Sequence, residues 1–177
     1  MVSALGVFFF TLMVIAAQVD LTRAEYQGNR LARLRDEGWQ FVGDYAYKLA
    51  TEQGGSLPVR VNFERGRKLC QNMGGDLAVE GIRNNDLRYK AARSVYRGPV
   101  WIGLWVGLAD KQGDGLWNWI DGQQAKSNDI KWSPLEPNGK QGKKLCGELW
   151  GEERRFTMND MVCGGRRFAM CEQKFIR

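Results

Sequence analysis

The chain has 177 residues, of which 44% are hydrophobic, 26% charged and 11% aromatic, values of an ordinary globular domain that exclude a disordered or fibrous chain. Its 26 Lys and Arg against 20 Asp and Glu give a net charge of +6, which favours anionic partners electrostatically without identifying one. It has no His, which removes imidazole as a base for Ser or Cys nucleophiles and rules out any His-containing zinc site, so no enzymatic activity is expected.

The first element in chain order is an apolar run, Val7 to Ala17, within residues 1–24. Small residues and then a polar stretch follow it, the layout of a secretory signal peptide cleaved between Ala16 and Ala24. The longer stretch Val2 to Val19 is almost long enough to span a bilayer as a signal anchor, but no flanking basic cluster orients it. A secreted, extracellular product without a stable membrane anchor is therefore expected. Residues 25–38 form a short polar arm in which Arg30, Arg33 and Arg35 interleave with Leu31 and Leu34, too short for a coiled-coil neck.

A single domain is expected over 39–177. Its first helix runs from the N-cap Asn62 to about Met73, burying Phe63, Gly66, Cys70 and Met73 and stopping at Gly74 and Gly75. A second helix spans about Asn85 to Val95, with Leu87, Ala91 and Val95 on one face, and stops at Gly98 and Pro99. Short apolar or alternating segments then read as strands: Val100 to Leu104, Leu116 to Ile120, Leu145 to Leu149 and Arg167 to Glu172. Trp101, Trp105, Trp117 and Trp119 fall in or beside these and are assigned to the core. The stretch 132–144, WSPLEPNGKQGKK, is the longest without apolar periodicity, and a loop of that length in a compact domain is usually functional.

Glu136 and Asn138 flank Pro137 in that loop, and Asn159 and Asp160 lie shortly before Cys163. Two carboxylates and two amide carbonyls suit Ca2+, which takes about six to eight oxygens in flexible geometry, better than Mg2+. With two formal negative charges the affinity would be weak, on the order of 10⁻⁴ to 10⁻³ M. On residue type alone both segments also read as ordinary turns. Trp150, between the two pairs, is the candidate for stacking against a ligand. The four cysteines, Cys70, Cys146, Cys163 and Cys171, contain no C-x2-C pair, which favours two disulfides over zinc and leaves three pairings open.

Taken in order, NFERGRKLCQNMGGDLA, VWIGL, LWNWIDG, WSPLEPN, CGELW, NDMVC and AMCE resemble the successive landmarks of a C-type lectin-like domain of the short form, covering Trp39 to Arg177. The segment CGGRRFAMCEQK is similar, more narrowly, to short tunicate lectins. The resemblance implies an α+β fold with two helices, two small antiparallel sheets, a long loop region and the disulfides Cys70–Cys171 and Cys146–Cys163. It implies calcium-dependent carbohydrate binding in which Glu136, Asn138, Asn159 and Asp160 hold one Ca2+ together with sugar hydroxyls, with a cis Glu136–Pro137 bond. The EPN triplet implies the mannose, fucose or glucose group.

One position departs from the family pattern. Lys144 stands two residues before Cys146, where fuller sites carry an acid, and Glu148 is expected by strand alternation to lie away from the ion. Asp110 and Asp114 would supply half of an auxiliary calcium site, but Gly139 and Leu145 stand where further acids are needed. The alternative reading is a calcium-independent module that binds a protein or an anionic glycan through Lys143-Lys144, Arg154-Arg155 and Arg166-Arg167. Expected partners are a carbohydrate or glycoconjugate and anionic surfaces, with no nucleic acid; weak single sites make a homo-oligomer useful.

Overall fold

A computed structural model describes residues 4–98, 102–126, 129–140, 142–152 and 155–175, and the chain divides into two compact units, Met1–Trp39 with Arg177 and Gln40–Ile176. In the first unit, helix α1 (Ala4–Asp36) runs unbroken through the segment read as a leader and its polar arm. Met13, Val14, Ile15 and Val19 stand exposed on it, and Arg33 and Arg35 in its last turn complement the negative end of the helix dipole. Among the described residues no helix is long and apolar enough to cross a membrane.

The second unit contains, in order, β1 (Gln40–Val42), β2 (Tyr45–Leu49), β3 (Arg60–Val61), α2 (Phe63–Asn72), β4 (Asp76–Leu77), α3 (Glu80–Arg83), α4 (Asn85–Val95), β5 (Leu104–Asp110), β6 (Asn118–Trp119), β7 (Leu145–Glu152), β8 (Arg155–Val162) and β9 (Arg167–Lys174). Helix α2 starts where Asn62 Oδ1 accepts from the Arg65 amide at 2.9 Å, satisfying one orphan donor of the first turn. It ends as the chain turns through Gly74 at φ 84°, a left-handed conformation that favours glycine. Phe63, Gly66, Leu69 and Cys70 are its buried positions; Leu69 takes the inward place assigned to Met73, which is only half-buried. Helix α4 spans the expected residues, with Asn84 Oδ1 accepting from the amides of Asp86 and Leu87. Its fully buried residues are Arg88, Ala91 and Ala92, with Leu87 and Val95 half-buried beside them.

Helix α3 has no counterpart in the sequence reading because it lacks a local cap. The Glu172 carboxylate, from strand β9, accepts from the amides of Val79, Glu80 and Gly81 at 3.3, 3.0 and 2.8 Å and supplies the acceptors that the adjoining sequence does not.

The strand order is β1-β2-β9-β5-β7-β8, with β3 and β4 also paired to β9 and β6 to β5. The two expected sheets thus share β9, and the β5–β9 pair is parallel where only antiparallel pairing is implied by the resemblance. Strand β5 begins where the expected Val100 to Leu104 strand ends; Val100 and Trp101 lie outside the described residues. All seven residues of β5 are buried, and the first six read as a continuous apolar run without the alternation that marks a half-exposed strand, ending at the buried Asp110. Leu104, Val106 and Leu108 sit in a core with Ile82, Ala91, Trp117, Trp119, Leu149, Met158 and Met170. Full burial of one such aliphatic side chain contributes roughly 1.5–3 kcal/mol. Trp105, Trp117 and Trp119 are buried as assigned.

Both disulfides have the implied pairing. Cys70–Cys171 ties α2 to β9, and Cys146–Cys163 closes the hairpin of β7 and β8.

Candidate functional site

The long loop lies against β8. The Ser133 amide donates to the Met158 carbonyl at 2.8 Å, the Met158 amide donates to the Lys131 carbonyl at 2.8 Å, and the hydroxyls of Ser133 and Thr157 lie 2.6 Å apart. This anchorage brings Glu136 and Asn138 opposite the middle of β8, whose pairing with β7 sets Glu148 across from Asn159 and Gly147 across from Asp160. The Glu136–Pro137 bond is cis. Glu136, Asn138, Asn159 and Asp160 line one cleft of about 760 Å³, together with Trp150, Lys140, Lys143 and Arg167. Asn159 and Asp160, also readable as a turn, belong instead to a strand.

The bonding inside the cleft is asymmetric. The Asn138 amide N–H is shared between Glu136 Oε2 at 3.1 Å and Asp160 Oδ1 at 2.7 Å, and the Gly139 N–H reaches the same Asp160 oxygen at 3.2 Å. Asn138 Nδ2 donates to Glu136 Oε1 at 2.8 Å, and Asn159 Nδ2 donates to Glu148 Oε1 at 2.8 Å. A side-chain amide that gives its nitrogen to a carboxylate keeps its oxygen as the end available to a cation.

Of the four oxygens of Glu136 and Asp160, one has no donor among the described residues. Asp160 is 6% exposed, and its Oδ2 is buried with no hydrogen-bond partner among the described residues. Burial first, and then Asp160 as a proton-sharing and like-charged neighbour, push the Glu136 carboxyl up to about 7. Two carboxylates pressed together, one with an orphaned oxygen, would both be relieved by a hard cation, so the donor set fits Ca2+. The acidic count is nevertheless low: the described residues hold no cluster of three or more Asp, Glu, Cys or His groups suited to a metal.

Lys144 is exposed and does not line the cleft, whereas Lys143 does. Glu148 is fully buried behind Asn159, where it also takes a charge-assisted hydrogen bond from Arg167 Nε. Asp110, offered for an auxiliary site, is buried and accepts from the amides of Gly113, Asp114 and Gly115 at 2.7, 3.3 and 2.8 Å, so its oxygens hold a turn. Gly139 does not stand in for a missing acid there: a Cβ on it would come within 2.1 Å of Asp160 Oδ2 and 2.5 Å of Leu145 Cδ1. Of the basic pairs, Lys143-Lys144 is exposed and Arg166 donates to the Arg60 carbonyl at 3.0 Å, while Arg154 lies outside the described residues. Arg167, offered by the sequence only as half of a basic surface pair, joins the cleft because the fold brings β9 beside β7 through β5.

The model of the lectin C-type domain family matches residues 59–173. A lectin of the tunicate Polyandrocarpa misakiensis is 29% identical over 118 residues, covering 64% of this chain and 89% of the relative. Among solved structures, a C-type lectin from the same tunicate superposes with a TM-score of 0.56 at 24% identity, over 75% of this chain and 100% of its own. A calcium-independent type II antifreeze protein superposes with a TM-score of 0.61 at 19% identity, over 78% and 93%. At these identities the structural likeness shows a shared fold.

Proposed function

The chain belongs to the lectin C-type domain family, and from that premise we propose that it is a secreted carbohydrate-binding protein whose ligand is held at a calcium site formed by Glu136, Asn138, Asn159 and Asp160. The observation that carries this reading is the orphaned Asp160 Oδ2 beside a Glu136 carboxyl pushed up to about 7, a charge arrangement that a divalent cation relieves. A calcium ion bound there would supply open coordination positions to neighbouring sugar hydroxyls. The chain's own residues do the rest. The carboxylates of Glu136 and Asp160 accept hydrogen bonds from those hydroxyls, and Trp150, half-buried at the cleft, offers a flat apolar face. The EPN triplet at 136–138 supports a ligand of the mannose, fucose or glucose type.

The test is a calorimetric calcium titration of the chain with and without free mannose and galactose, with Asp160→Ala as control. Calcium binding that is lost in the variant, together with stabilisation increased by one sugar, supports the reading. A flat titration at millimolar calcium sinks it.

A second reading is favoured by a specific observation: three cations, Lys140, Lys143 and Arg167, line the same cleft as the two acids. A calcium-independent site for an anionic glycan or a protein would use them, and a calcium-independent type II antifreeze protein shares the fold. Binding of that kind collapses as salt rises and ignores chelator, because exposed charges are screened within about 10 Å at 0.1 M salt. No catalytic role is assigned.

A further inference from the structure

We infer that Glu148 is a positioning residue for the calcium site, which turns the Asn159 amide so that its oxygen serves the ion; the inference rests on the calcium reading above. Three observations carry it. The β7–β8 register places Glu148 directly across from Asn159, so both side chains leave the same face of the hairpin. Glu148 is completely buried, its Oε1 accepting from Asn159 Nδ2 at 2.8 Å and its Oε2 from Arg167 Nε. Finally, the carboxylate is boxed in from behind: a Cβ on Gly103 would come within 1.8 Å of Glu148 Oε2 and 2.6 Å of Arg167 Nε.

An amide side chain has a donor end and an acceptor end, and the two are nearly isosteric, so nothing in its shape decides which end faces a cation. A carboxylate that already takes a hydrogen bond from a guanidinium has only acceptor oxygens to offer. Glu148 therefore draws Nδ2 inward and excludes the flipped amide, which would aim N–H groups at the ion. The pair has a second effect on the cleft. Arg167 lines it, and Glu148 compensates that positive charge from beneath, so that it does not oppose a divalent ion at full strength. Neither effect is available to a strand residue whose partner across the ladder is apolar.

The inference separates from a merely structural ion pair through three variants, each titrated with Ca2+ by calorimetry and melted in chelator. In Glu148→Gln the inward group can donate or accept, the amide is no longer fixed and Arg167 is uncompensated; calcium binding should weaken roughly 10- to 100-fold, the usual range for a lost orienting partner. Asn159→Asp adds a negative ligand, which on charge count alone should tighten binding, but it sets two carboxylates face to face and should weaken it instead. The double variant Glu148→Gln/Asn159→Asp restores both polarity and charge: the introduced amide donates across the ladder to the introduced carboxylate, whose other oxygen faces the cleft. Its affinity should return to near that of the wild type. In chelator, the side-chain 1H–15N resonances of Asn159 should shift and exchange faster in Glu148→Gln than in the wild type, a readout of orientation that needs no ion.

Wild-type affinity in Glu148→Gln, tighter binding in Asn159→Asp, or a double variant no better than Glu148→Gln alone would each overturn the positioning role. A wild-type chain with no calcium binding at all would overturn the calcium reading itself and this inference with it, an outcome distinct from the other three.

Discussion

The Gly139 amide donates to Asp160 Oδ1 at 3.2 Å, while a Cβ on the same glycine would come within 2.1 Å of Asp160 Oδ2. The loop and the strand therefore meet so closely that any side chain at 139 has to displace the Asp160 carboxylate and Leu145. Gly139→Ala should push the Asp160 carboxylate and Leu145 aside, destabilising the chain by about 1–3 kcal/mol, as overpacking does, and abolishing measurable calcium binding. Urea melts and calorimetry on the same samples check both effects; unchanged affinity would show that the close approach is incidental.

Glu136 gives the site a pH signature. Its carboxyl is pushed from 4.5 up to about 7, so its neutral form is the one the metal-free fold favours. In chelator its contribution to stability is fully present below the unfolded-chain value and is lost as pH rises through about 7. Calcium needs the ionised form, so the stabilisation that calcium adds should grow over that same window. Thermal melts from about pH 5 to about pH 8, with calcium or chelator, measure it. Glu136→Gln should remove the pH dependence of the difference, and an increment equal at both ends of the range would contradict the coupling.

Trp150 should affect sugar and not ion. Trp150→Ala is expected to weaken sugar binding roughly two- to tenfold, from aromatic contact worth about 0.5–1.5 kcal/mol, with calcium affinity unchanged. Titrating sugar into the calcium-saturated variant checks this. A parallel loss of calcium affinity would mean that the ring holds the cleft together rather than meeting the ligand.

Cys146 and Cys163, 17 residues apart, close the hairpin that carries Asn159 and Asp160. The Cys146→Ser/Cys163→Ser variant should lose about 3 kcal/mol on a chain-entropy account. The corresponding change at Cys70 and Cys171, 101 residues apart, should lose more, up to about 4.7 kcal/mol. Denaturant unfolding orders the two, and a larger loss from the short loop would point to enthalpic effects in place of chain entropy.

Features encoded locally are the ones legible in the sequence. Asn62 and Asn84 cap their helices through their own side chains, and the boundaries of α2 and α4 are correspondingly readable. Helix α3 is not, because its cap is Glu172, 92 residues from Glu80 in sequence. Strand β8 escapes pattern reading for a reason tied to the site: Asn159 and Asp160 place polar groups in its middle, breaking the hydrophobic pattern that marks a strand. The four oxygen-bearing residues are legible as two short motifs, and the fold brings both to one cleft. The setting of Glu148 is not, since it depends on the ladder register with Asn159 and on a guanidinium delivered by β9.

Strand β9 pairs with β2, β3, β4 and β5, and every one of these precedes it in the chain. During synthesis, then, β5 emerges well before the strand that will lie parallel to it, and for that interval Leu104 and Trp105 have no partner on that side. The β7–β8 hairpin, by contrast, needs only its own residues and the Cys146–Cys163 bond to pair. A chain truncated just short of Arg167 should therefore carry a formed hairpin on an otherwise open fold and should be retained by chaperones, and extending it through Lys174 should release it.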